Sequence, residues 1–80
     1  MLEQSQKSRL AWQCRRGMLE LDLILQKFFD KHIDHLNQQQ IRSFDLLLKQ
    51  TDPDLFSWLM GFAEPEDELK EIVYFIRTQD

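Results

Sequence analysis

Eighty residues contain one cysteine, two glycines, two prolines and one tyrosine, and each scarcity excludes something. Cys14 cannot close an internal disulfide by itself, and no secretory apolar region opens the chain, so a soluble protein of the reducing cytoplasm is expected. The longest apolar stretches are broken by Asp22, Gln26 and Asp30, too soon for a bilayer span, so no membrane insertion is expected. β-Branched residues are few and never alternate with polar ones over a useful length, which argues against a sheet. Gly17 and Gly61 stand isolated, and neither has the strand–turn–helix setting of a phosphate cradle. No stably bound cofactor is therefore expected. Repeats, low-complexity tracts and flexible linkers are absent too, so residues 1–80 read as a single domain.

What is present has a globular balance, with 42% apolar and 30% charged residues, enough to bury a modest core. The net charge of −4 is unevenly laid out. Residues 1–17 carry Lys7, Arg9, Arg15 and Arg16 against Glu3, while the remainder holds six basic and thirteen acidic residues. An acidic body opposes nucleic-acid binding, because phosphate neutralisation supplies most non-specific affinity. A helix-turn-helix reader would need a basic recognition helix, and residues 38–42 are a poor substitute. The basic start instead offers one local patch to an acidic partner surface.

Apolar periodicity divides the chain into five helices, an all-α, single-domain bundle. The first is expected over residues 4–16, with Gly17 as its terminating glycine and Arg15 and Arg16 in its last turn. The second runs over 18–36, with Leu21, Leu25, Phe28, Phe29, His32 and Leu36 on one side. Leu19 and Leu23 fall nearly opposite, so they are either sandwiched in the bundle or form an exposed contact surface. Asn37 followed by Gln40 reads as a capping box opening a third helix to about residue 50, buried through Ile41, Phe44 and Leu48. Asp52 is expected to cap a short fourth helix with Pro53 at its first position, stopped by Gly61. Pro65 opens the fifth, whose stripe is Leu69, Ile72, Val73 and Ile76.

Catalysis finds little support. A nucleophile needs a base within reach, and Cys14, His32 and His35 lie near the ends of different helices. Cys14 reads as a buried thiol, and two histidines make a poor metal site, so neither an enzyme nor a metal protein is expected. The remaining cluster is Arg16-Gly17-x-x-Glu20. On spacing alone it is a helix terminus followed by a surface acid. As a recognition surface, Gly17 lets another backbone approach, Arg15 and Arg16 supply cationic forks, Glu20 supplies the opposite charge, and Leu19 and Leu23 add apolar area.

Residues 14–22, read as CRRGMLELD, resemble the Arg-Gly-x-x-Glu signature of the succinate dehydrogenase flavinylation and assembly factors, known in bacteria as SdhE or YgfY. Residues 52–60, read as DPDLFSWLM, resemble the aspartate-proline…tryptophan-leucine block of the same family, and the likeness extends over nearly the whole chain. The resemblance implies a five-helix bundle that helps the flavoprotein subunit of succinate dehydrogenase, and that of fumarate reductase, acquire covalent FAD. The FAD is then attached to the partner and not held by this chain, which is expected to act as a monomer. Carried over by position, Arg16, Gly17 and Glu20 are the signature residues, while Asp52, Pro53 and Trp58 form a second block with an expected part in maintaining the fold. The longer tail of some relatives has no counterpart after Asp80, so any function of such a tail is expected to be missing. The family has also been labelled an antitoxin of a small membrane toxin, which gives a second reading as an interaction protein.

Overall fold

A computed structural model describes residues 3–79; Met1, Leu2 and Asp80, with the chain end discussed above, lie outside them. Among the described residues the regular elements are helices: Gln4–Gln13 (α1), Leu19–His32 (α2), Gln38–Leu48 (α3), Asp52–Leu59 (α4) and Asp67–Thr78 (α5), with a 3-10 turn over Ile33–His35. The α5 stripe of Leu69, Ile72, Val73 and Ile76 is buried, and α5 packs against α2, α3 and α4. At the centre Phe28 meets Phe44 with ring centroids 5.3 Å apart and Phe75 edge-on at 5.0 Å. Full burial of Phe28 and of Phe44 stabilises the fold by roughly 1.5–3 kcal/mol each. Leu47 is fully buried beside the expected α3 stripe, as is Phe44.

Local chemistry sets most of the helix ends. Asn37 and Gln40 form the expected capping box, with the Asn37 side chain accepting from the Gln40 N–H at 2.8 Å and the Gln40 side chain accepting from the Asn37 N–H at 2.9 Å. At the end of α4, Gly61 takes φ +82°. There the Phe62 N–H donates to the Ser57 carbonyl at 2.8 Å and the Gly61 N–H to the Trp58 carbonyl at 3.2 Å. That pair is a Schellman motif, and the Phe56 and Phe62 rings, 6.1 Å apart, supply its apolar contact.

Four expected boundaries move. The α1 helix stops at Gln13, so Arg15, Arg16 and Gly17 belong to a connecting turn and Gly17 does not terminate the helix. The second helix ends at His32, because Leu36 must be extended (ψ 139°) to let Asn37 cap α3, and a 3-10 turn with buried Ile33 bridges the gap. Thr51 caps α4, its hydroxyl accepting from the Asp54 N–H at 3.4 Å, which moves Asp52 to the first helical position and Pro53 to the second. Glu66 is the N-cap of α5, and Pro65 precedes it, buried against the bundle.

The attachment of α1 is thin in apolar terms. Within the helix only Leu10 is buried, followed by Cys14 at its C-cap. The ion pair of Lys7 with Asp34, at 2.9 Å, is largely exposed and adds at most about 1 kcal/mol. What fixes the end of α1 is the turn that follows it.

Candidate functional site

Arg16 points inward. Its Nε donates to Asp52 Oδ1 at 2.8 Å, Nη1 to the carbonyls of Leu48 at 2.8 Å and Gln13 at 3.0 Å, and Nη2 to the carbonyl of Gln50 at 2.9 Å. Those carbonyls lie at the C-terminal ends of α1 and α3, where backbone acceptors lack helical partners and a cation is favoured. Asp52 sits in the first turn of α4, where a carboxylate is favoured. One guanidinium therefore ties together two helix ends and one helix start. Its side chain is only 15% exposed. The expectation of Arg16 as a free fork for a partner's carboxylate is thereby corrected: four of its five N–H donors are already used within the fold.

The turn is closed from the other side by its own backbone. The Arg16 N–H donates to Asp22 Oδ1 at 2.7 Å, tying the turn to the first part of α2. Gly17 takes φ +82°, a conformation that costs other residues about 1–2 kcal/mol. A Cβ placed there would meet nothing within 4 Å, so the missing side chain faces open space.

The rest of the cluster faces outward. Leu19 and Leu23, 75% and 61% exposed, are one turn apart on α2, which settles their two earlier readings in favour of an exposed surface. Glu20 is exposed beside them and has no hydrogen-bond or ion-pair partner among the described residues. Arg15 lies over the ring of Trp12 at 5.7 Å, and Trp12 is itself 71% exposed. A shallow depression of about 430 Å³ joins Arg15, Gly17, Asp22 and Leu23 over the buried Cys14. In the second block, Trp58 is buried in the core and Pro53 is exposed at the start of α4.

Two of these placements were invisible to the sequence reading. The exposure of Trp12 follows from how little of α1 the core covers. In the sequence Asp22 is only a break in an apolar run, and no local pattern marks it as the acceptor for a turn six residues earlier.

Burial pushes the Cys14 thiol up to about 12, with the nearby Arg16 charge opposing this in part. At neutral pH it is a packed thiol without nucleophilic character. His32 lies between the rings of Phe28 and Phe75, at 5.2 and 4.9 Å. Among the described residues no group of three potential ligands could hold a metal. No helix there is long and apolar enough to cross a membrane.

The thiol gives a pH prediction. An unfolded cysteine ionises near 9 and the folded Cys14 near 12, so between these values the unfolded chain has released a proton that the folded chain keeps. Stability must then fall as pH rises from about 9 towards 12. Urea midpoints at pH 7 and pH 10 should show a larger drop for the wild type than for Cys14→Ala. Equal drops would mean that the thiol ionises as readily in the fold as outside it.

Known proteins are similar to this chain over nearly its whole length. The family described as "Flavinator of succinate dehydrogenase" matches residues 8–80. A protein named FAD assembly factor SdhE from Legionella pneumophila (strain Lens) is 58% identical over 79 residues, 99% of this chain and 100% of that one. Its namesake from Pectobacterium atrosepticum is 48% identical over 80 residues, 99% of this chain and 91% of that one. The solution structure of a UPF0350 protein superposes with a TM-score of 0.78 at 43% identity, covering 95% of this chain and 82% of the other. By this agreement over its length, the chain belongs to the succinate dehydrogenase flavinator family, that of the FAD assembly factors SdhE.

Proposed function

We propose that this chain is an assembly factor that binds the flavoprotein subunit of succinate dehydrogenase in the cytoplasm and promotes covalent attachment of FAD to it. The observation that carries this reading is the 58% identity to a FAD assembly factor over essentially the entire chain. The flavoprotein of fumarate reductase is a second client of the same chemistry. The docking surface is the outward part of the turn and α2: Arg15, Gly17, Leu19, Glu20 and Leu23. An unpaired carboxylate between exposed leucines, beside a cation on an exposed tryptophan, suits the core of a protein–protein contact.

The bond itself would be made in the client, between a client histidine and the flavin bound there. This chain holds no FAD stably and acts without catalytic groups, as a monomer that favours the client conformation in which histidine and flavin are aligned. Alignment of reacting groups can contribute roughly 7 kcal/mol or more to lowering a barrier. The requirement is higher affinity for the aligned conformer than for others.

Covalent flavin on the succinate dehydrogenase flavoprotein, read by in-gel fluorescence, tests the reading. Cells lacking the gene should lose most of the signal, and the wild-type gene should restore it. Undiminished fluorescence in the deletion strain would remove the assembly role.

A further inference from the structure

Arg16 and Glu20 stand in one motif but face opposite ways, and this raises the question of what holds the outward part of the motif in place. The turn over residues 15–18 has little local support: Met18, the N-cap of α2, makes no side-chain capping bond, and Gly17 imposes no rotamer of its own. Beside the Arg15 N–H to the Trp12 carbonyl at 3.1 Å, the Asp22 N–H to the Met18 carbonyl at 2.8 Å and Arg16 Nη1 to the Gln13 carbonyl, its ties are the Arg16 N–H to Asp22 and the Arg16 side chain to the α3–α4 corner. In that corner Asp52 is the one partner whose side chain makes the bond, since Gln13, Leu48 and Gln50 contribute backbone carbonyls. Thr51 already caps α4, so the Asp52 carboxylate is released from the capping task its sequence position suggested.

We infer that Asp52, 36 residues along the chain from Arg16, is a positioning residue for client recognition: by orienting Arg16 it sets the turn that presents Gly17 and Glu20. The inference rests on the proposed function and extends it to a residue that need not touch the client. Asp52 fixes the Nε edge of a planar guanidinium, while the carbonyls of Leu48 and Gln50 hold its other nitrogens. Without Asp52 the guanidinium keeps its three carbonyl bonds and stays docked, yet loses the contact that sets its rotation. The backbone of Arg16, one residue from Gly17, then loosens. The chain remains folded, because the apolar core is untouched.

The test uses the full chain and the purified apo flavoprotein subunit of succinate dehydrogenase, at a temperature where circular dichroism shows every variant folded. Asp52→Ala should bind about tenfold more weakly, in the range by which residues of a coupling network act. Asp52→Asn, which keeps an oxygen for Nε, should recover most of the loss. The Asp52→Ala/Glu20→Ala double variant should bind no more weakly than Glu20→Ala alone, because both changes remove the same contact. Amide hydrogen exchange, measured without client, should quicken in Asp52→Ala at residues 16–20 and stay unchanged in α5. Wild-type affinity with unchanged exchange at the turn overturns the inference, as does exchange that quickens equally everywhere. If the wild-type chain fails to bind the flavoprotein, the proposed function falls, and the exchange data still decide whether Asp52 orders the turn.

Discussion

Arg16→Ala is expected to lower thermal stability more than any other single change in the turn, and to lower flavinylation by loosening the fold of the factor. The alanine leaves three carbonyls at helix ends and the Asp52 carboxylate without their donor. Asp52 is 38% exposed, so the pair is only part-buried, and removing its charged donor costs about 1.5–3 kcal/mol. A domain of this length has a total stability of roughly 4–12 kcal/mol, so the loss is a large fraction of the whole. In small domains each kcal/mol shifts Tm by about 4–8 °C, so a fall on the order of 10 °C should be read by circular dichroism. Arg16→Lys keeps the charge but offers a single compact donor group, which cannot span four separate acceptors, and should recover only part of the loss. If Arg16→Ala melted like the wild type and still lost client binding, the guanidinium would have to face the client and not the α3–α4 corner.

Glu20→Ala should behave in the opposite way, losing client binding while melting like the wild type. Its carboxylate is exposed and has no partner within the described fold, so truncation should change stability by less than about 0.5 kcal/mol. Should it be buried against a client cation, the same truncation would weaken the complex by about 2 kcal/mol or more, roughly thirtyfold. Covalent flavin on the client should drop accordingly in a strain complemented with this variant. Glu20→Gln separates charge from shape: a loss as large as that of alanine assigns the effect to the charge. Full flavinylation by Glu20→Ala would move the recognition surface elsewhere, and the exposed pair of Trp12 and Arg15 would be the next place to look. Two neighbours in one short motif thus divide stability from recognition, and the pair of variants separates them in a single experiment.

The helices themselves were legible because their causes are local. A 3.6-residue apolar period, the Asn37–Gln40 capping box and the glycine after α4 act over a few residues, and each lies in the order of the letters. The stripe of α5 and the exposed pair Leu19 and Leu23 follow from the same periodicity, although whether the pair was sandwiched or open needed the packing. The four shifted boundaries lie where a terminal turn can be read in more than one way: Thr51 and Asp52 are both good caps, and propensity alone cannot choose between them.

The sequence by itself determined that this chain is a small acidic bundle of helices, and it drew attention to the Arg-Gly-x-x-Glu motif. Only the tertiary structure decided which way each member of that motif faces. Residues 14–18 form a turn between helices, so helical phase is interrupted there and no periodicity assigns inward or outward positions. The direction of Arg16 depends on carbonyls at residues 48 and 50 and a carboxylate at residue 52, brought beside it by the packing of α1 against α3. Such an arrangement is a property of the folded chain, because its partners are distant in sequence and adjacent only in space.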